Sequence, residues 1–541
     1  MEDLTLRCSN CGQAFVWSEA EQGFYKTHNY DQPKRCKECR KSKRIMLAEA
    51  EKAGMKPRFS DINFKYTDAR SEKIYTPEVL KNAFVDIQSC LARILEPDKY
   101  LVYGSKGAGK TALASYYELR ASVEETLFAR VDDLEDFDYT LLSEGALGGA
   151  STPRTVGAWK FLLSLRLFTL LLEDEGLCQQ NSRLIELKRE LDKRGLLPSP
   201  SLSKLASSAL GKNAGFGLSF GVDLKANYGR DHSYATKGPS QIAESLLSLI
   251  KELSVTDGRY ILFVDGLDHV LRGSKEALAA IGDLINAVRI INEFLLTSAL
   301  DAKIVLLIRS ELARAIPNPD LTKRLADNGL PMDWYFNVKE PFESDLLRVV
   351  QRRAALVGYV GTIETLWQIW LPRQIHNRPS ERFVTNRTRF LPRDLNRFFF
   401  HLQQVGWPPF KVDQVLAAER IYSQWFFDEL YDSLAGLLDE RVRTNLSSIL
   451  TQLGSYFTVK KLQGALEQRG LDTIISGEEL AQLMFETHWI GNLRVSADHK
   501  QFNIFKSRNR SAGFTSDLGC VLAWGLISGL SSNRRSDQQK F

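Results

Sequence analysis

The residues with the most specific chemistry lie at 104–111, where Gly104-Ser105-Lys106-Gly107-Ala108-Gly109-Lys110-Thr111 spells GxxxxGK[ST]. A short apolar run, Leu101, Val102 and Tyr103, precedes this stretch and a helical pattern follows it. That strand-then-helix setting gives the spacing a mechanism. Glycines let the main chain wrap closely round a polyphosphate with its N–H groups pointing inward. Lys110 can reach the β- and γ-phosphates, and the Thr111 hydroxyl can ligate Mg²⁺. The N-terminus of the following helix adds the positive end of its dipole. The expectation is a bound nucleoside triphosphate, ATP with Mg²⁺, cradled by residues 104–111; GTP stays open as an alternative.

A second constellation stands near the N-terminus. Cys8 and Cys11 form one CxxC pair and Cys36 and Cys39 another, with a polar, aromatic-containing segment between them. Four thiolates can close a tetrahedral cage around Zn²⁺, which would supply folding energy that so short a segment lacks. The spacing fits a zinc ribbon or a treble clef, and the two knuckles resemble small prokaryotic zinc-ribbon domains. Around the second pair runs a basic stretch, Lys34, Arg35, Lys37, Arg40, Lys41, Lys43 and Arg44, opposed only by Glu38. With Phe15, Trp17, Phe24, Tyr25 and Tyr30 nearby, residues 34–44 suit a nucleic-acid backbone. The other reading of the same run is a solvated helical face.

These sites need a scaffold, and 541 residues provide for about three or four domains. A net charge of +5 is small for this length, so a nucleic-acid footprint would have to be local. The most apolar runs, 161–172 and 518–530, are short of the about 20 residues that cross a bilayer and read as buried helices. Residues 1–3 show no leader pattern. Four of seven cysteines are paired as CxxC, which points to metal use in a reducing compartment, and the expected location is cytoplasmic.

Along the chain, 1–44 reads as the zinc-ribbon module and 45–75 as a linker. A helix is expected to start at Thr76-Pro77-Glu78 and end near Pro97. The nucleotide-binding core spans 76–342. Its strands are expected at 101–103, 126–132, 260–264, 302–308 and 334–338, interrupted by an insertion at about 140–240. Within that insertion, 215–229 alternates apolar and polar residues as a β-hairpin would. The insertion suits a functional face or a helical decoration. The buried run Tyr260 to Val264 ends in Asp265, placed where an open α/β sheet binds its ligand, and Asp265 is the expected Mg²⁺-side carboxylate.

The residues Asp265-Gly266-Leu267-Asp268 carry a resemblance. The pattern lacks the acid directly after Asp265 that AAA+ ATPases use, and resembles the STAND and NACHT-like branch of P-loop NTPases, where a second acid follows at this spacing. That resemblance implies Asp268 as the water-activating residue; a turn-capping role is the alternative. It also implies a γ-phosphate sensor for Arg309, at the end of the strand after Asp265, with a strand-end salt bridge as the alternative. Residues 343–430 read as a helical lid. Within it Arg389-Phe390-Leu391-Pro392-Arg393-Asp394 resembles the second sensor of AAA+ and STAND lids, with Arg393 preferred over Arg389 and a helix cap as the alternative. Residues 433–530 read as a winged helix, and 531–541 as a disordered tail. Its third helix carries Glu478, Glu479 and Glu486 without Lys or Arg, which argues against groove reading. Arg494, Lys500, Lys506, Arg508 and Arg510 make the wing more basic.

The order of parts resembles prokaryotic P-loop ATPases of the AAA+/STAND kind. The implied fold is α/β: a P-loop NTPase core with a parallel sheet, a helical lid, a C-terminal winged helix and a small N-terminal zinc ribbon. The implied function is an ATP-hydrolysing switch associated with nucleic acid through its zinc module. Two alternatives stand beside it. One is a STAND-like signalling or antiviral-defence sensor whose ATP state controls homo-oligomerisation or a protein effector. The other is an ATP-binding scaffold with little turnover.

Overall fold

The computed structural model describes residues 2–8, 13–28, 32–41, 59–144, 154–193, 195–197, 201–210, 239–267, 275–316, 320–335, 340–495, 501–509 and 511–530. The chain divides into two units, one of residues 73–81 and 86–333, the other of 1–72, 82–85 and 334–541.

The first unit is built on five parallel strands: β3 (Leu101–Gly104), β4 (Leu127–Asp133), β5 (Arg259–Asp265), β6 (Asp301–Arg309) and β7 (Gly329–Pro331). They lie in the order β4-β5-β6-β3-β7. Parallel strands covered on both faces read as continuous apolar runs, and β5 and β6 are buried almost throughout. The chain crosses the sheet one way from β3 to β4 and the other way through β5, β6 and β7. Right-handed crossovers therefore send the connections leaving β3 and β6 to opposite faces. The crevice at the carboxyl ends of these two neighbours is the topological switch point, where such sheets bind ligands.

Helix Lys110–Ala121 packs on β3 and β4, helix Arg154–Leu171 on β4 and β5, and helix Lys275–Leu295 on β6 and on helix Arg154–Leu171. Helix Arg154–Leu171 is apolar almost all round because it is buried almost all round. Together with Leu202–Leu210 and Pro239–Glu252 it shares one apolar core with the sheet. Much of the segment read as an insertion is thus part of the central packing. The hairpin expected at 215–229 falls outside the described residues.

Three expectations are corrected. The fifth strand is Gly329–Pro331 rather than 334–338; Trp334 and Tyr335 are not in a strand, and 336–338 lie outside the described residues. The sequence Gly-Leu-Pro hides it, because Pro is tolerated only where no ladder donor is needed, as on this edge strand. The helix from residue 76 stops at Asn82 and a short one resumes at Cys90. Between them Gln88 and Ser89 take φ of 48° and 55°, and Asp86 accepts the Leu91 N–H. The apolar run at 518–530 contains strand Gly519–Leu522 instead of a helix. Periodicity cannot separate a short buried strand from a buried helix.

In the second unit, helices Asp345–Ala355, Ile363–Trp370, Ser380–Arg387, Pro392–Val405 and Val412–Ser433 are followed by helices Glu440–Leu453, Val459–Glu467 and Gly477–Glu486 and a four-stranded sheet. Strand Gly519–Leu522 lies between Tyr456–Phe457 and Ile490–Val495, with Gln501–Ile504 at the edge. Two of the residues that make this region basic are engaged. Lys506 pairs with Glu486, and Arg508 donates to Asn386 while stacking on Phe505 and Trp524. No described helix is long and apolar enough to cross a membrane.

The N-terminal module pairs β1 (Leu4–Arg7) with β2 (Ala14–Trp17) in an antiparallel hairpin, followed by helix Glu19–Thr27. Residues 37–41, directly after Cys36, are helical. A hairpin with Cys8 directly after its first strand, and a helix that starts directly after Cys36, match the treble clef of the two arrangements the spacing allowed.

Candidate functional site

At the carboxyl end of β3 the chain turns through residues 105–109 into helix Lys110–Ala121. Gly107 and Gly109 have φ of 89° and 96°, a region that disfavours side chains with a Cβ. Gly104 is needed for a different reason: a Cβ there would stand 3.1 Å from Met332 Cβ and 3.2 Å from Ala108 Cβ. Lys110, the first helical residue, is buried, and its ammonium reaches back to the carbonyls of Gly104 (2.9 Å) and Ser105 (3.2 Å). Its charge is therefore held at the mouth of the loop. A glycine loop, successive N–H groups, a helix N-terminus and a lysine in this order can receive a polyphosphate anion.

At the next residue, Thr111 Oγ1 donates to Asp265 Oδ2 at 2.6 Å. A hydroxyl and a buried carboxylate so joined are two hard oxygen ligands of the type Mg²⁺ takes. Arg309 ends β6 in register with Gly104 and is half-buried at the switch point. Ser105 and Lys106 are half-buried in the loop, and Ala108 is buried. Asp268 lies outside the described residues.

No side chain fits at Gly266. Its φ is 81°, and a Cβ would overlap Asp133 Oδ1 and approach the main-chain nitrogens of Glu135 (2.8 Å) and Leu134 (2.9 Å). The neighbouring strand fills that space, with Leu134 N–H donating to Asp265 O at 2.9 Å. Sequence reading passed over Asp132 and Asp133, although two acids ending an apolar strand were a visible signal. It also passed over the partner of Arg166. That guanidinium makes two hydrogen bonds to buried Asp132, at 2.5 and 2.6 Å. Burial pushes the Asp132 carboxyl up, and Arg166 pulls it back.

The two arginines expected to act as sensors are held within the second unit. Arg389 is buried and grips Asp394 with Nε and Nη2 at 2.9 and 2.6 Å. Arg393 pairs with Glu429 Oε1 at 3.0 Å and donates to the Thr67 carbonyl at 3.2 Å.

In the N-terminal module, Cys8, Cys36 and Cys39 are buried, and their Sγ atoms all lie within 4.8 Å of one another. A tetrahedral zinc thiolate cage with Zn–S bonds of about 2.3 Å has edges of about 3.8 Å, so the three sulfurs fit the ion. Cys11 lies outside the described residues. Cys8 N–H donates to Gln13 O at 2.9 Å and closes the first turn. Gln22 ties helix Glu19–Thr27 to the carbonyls of Glu2 and Trp17. Of the basic run, Arg40 is spent inside the module, on Glu21 and Tyr25. Lys34, Lys37 and Lys41 are exposed, Arg35 is half-buried, and Lys43 and Arg44 lie outside the described residues.

No curated protein matches the chain. Residues 2–46 match the family model of a probable treble clef domain. With its buried cluster of three cysteines, the N-terminal module is a treble clef zinc-binding domain.

Proposed function

We propose that this chain binds ATP with Mg²⁺ at residues 104–111 and hydrolyses it, the cycle serving as a conformational switch. One observation carries the reading: the hydrogen bond between Thr111 and Asp265, 154 residues apart in the chain. It joins the first turn after the glycine loop to the tip of a buried strand, where an Mg²⁺ ligand pair belongs. Thr111 and Asp265 would hold the ion, which neutralises charge on the β- and γ-phosphates. Lys110 would exchange the Gly104 and Ser105 carbonyls for phosphate oxygens. Arg309, in register with Gly104, is suited to sense the γ-phosphate. By resemblance Arg393 would do the same from the lid, leaving Glu429 to do so.

The exposed Lys34, Lys37 and Lys41 support docking of the zinc module on a nucleic-acid backbone. A signalling or defence sensor, with an effector protein or homo-oligomer as its output, is the second reading. It is favoured by helix Gly477–Glu486, where Glu478 and Glu479 are exposed and Lys506 is spent on Glu486. The test measures ATP binding and hydrolysis by the wild type and Lys110→Ala, with and without DNA or RNA at low salt, and particle size in ATP. Loss of binding or hydrolysis in Lys110→Ala is expected; wild-type behaviour there would sink the nucleotide reading. Nucleic acid should bind and change the rate. Failure of both leaves the sensor reading, which requires a change of assembly in ATP.

A further inference from the structure

We propose that Asp133 is the carboxylate that takes the proton from the attacking water during hydrolysis. The inference rests on the nucleotide reading above. Asp133 ends β4 in register with Asp265 on β5, which puts the two Cα atoms about 4.8 Å apart. Side chains alternate along a strand. Asp132 turns to Arg166 on helix Arg154–Leu171, so Asp133 turns to the opposite face, that of helix Lys110–Ala121 with Thr111. Asp265 meets Thr111 on that same face.

Gly266 completes the case. The residue after Asp265 has no side chain, and the volume a Cβ would take there is filled by Asp133 Oδ1. An acid from the adjacent strand stands where the usual acid of the following position would begin. Asp133 Oδ1 also accepts the Glu135 N–H at 2.9 Å, which fixes the orientation of the carboxyl group. In the step, the water oxygen bonds to the γ-phosphorus as the bond from phosphorus to the β,γ-bridging oxygen breaks. That electron pair stays on ADP, Asp133 accepts a water proton, and inorganic phosphate leaves. The proton then passes to solvent.

The experiment compares wild type, Asp133→Asn, Asp133→Glu and Asp268→Asn. It measures binding of a non-hydrolysable fluorescent ATP analogue, melting temperature, and single-turnover hydrolysis against pH. Asparagine keeps the acceptor for Glu135 N–H, so Asp133→Asn should melt and bind nucleotide like the wild type. Its hydrolysis should fall by about 10²–10⁴-fold, the range of a lost general base, and lose the acidic limb of the pH profile. Asp133→Glu, which restores a carboxylate, should recover part of the rate, and this arm decides the matter if Asp133→Asn does not fold. A fall below about tenfold in Asp133→Asn, or no recovery in Asp133→Glu where Asp133→Asn is unfolded, overturns the inference. So does a wild type that binds ATP without hydrolysing it, or a large loss confined to Asp268→Asn. A wild type that binds no nucleotide fails the underlying reading instead, which keeps the two failures apart.

Discussion

In the N-terminal module the buried cluster is Cys8, Cys36 and Cys39, with Phe15 packed against them. In the parallel-sheet unit the buried cluster is mainly leucine, isoleucine, valine and aromatic rings drawn from the sheet and the helices around it. Its buried cysteine, Cys90, is a packing residue set against Met332. The two regions solve the same entropy problem by different means. A segment of about 45 residues cannot bury enough apolar surface, so it borrows cohesion from thiolate–metal bonds. The larger unit has surface enough and can spend its polar residues on the switch point.

Removing zinc is the strongest way to test that contrast. A chelator, or Cys36→Ser, should unfold residues 2–46 and leave the sheet unit folded. Zinc content together with protease sensitivity mapped along the chain reads this out, because metal binding here is folding free energy of about 10 kcal/mol or more. Loss of the sheet unit's own unfolding transition on chelation would erase the distinction. Next in size is the converse. Arg166→Met strands the Asp132 carboxylate in the core and should cost the sheet unit about 3–5 kcal/mol in denaturant, with zinc content unchanged. The smallest effect concerns thiol chemistry. Burial pushes the Cys90 thiol up to about 12 and the Cys520 thiol up to about 11. Both stay protonated and closed to alkylation at about pH 7.5 in the native protein, whereas chelation should open Cys8, Cys36 and Cys39 to the same reagent. Rapid native labelling of Cys90 would show that the core around it opens readily.

Much of this was legible in the chain. The strands at 259–265 and 301–309 announce themselves by the apolar runs 260–264 and 304–308, because a strand buried on both faces needs no alternation. The glycine spacing at 104–111 and the cysteine pairs are local, and local patterns are what a sequence displays. Strand Gly329–Pro331 was not legible: three residues ending in proline carry no strand signal, and only pairing with β3 makes them one. Arg166 interrupts the apolar run at 161–172, and its partner lies 34 residues away on another element.

The two arginines read as sensors show the same limit. Arg389 and Arg393 stand in a motif that suits a phosphate sensor, yet the chain cannot tell that Asp394 and Glu429 hold them. Of the basic residues in the C-terminal sheet region, Lys506 and Arg508 are likewise turned to partners.

The sequence by itself determined that this protein has a cysteine cage, a glycine loop followed by lysine and threonine, and a buried strand ending in aspartate. Those features depend on residue type and near spacing, which the chain states outright. Tertiary structure alone decided which distant groups meet: Thr111 with Asp265, Asp132 with Arg166, and Asp133 with the space left by Gly266. Strand order and register set those meetings, and both are settled by packing across the sheet, where residues far apart in sequence bury one another.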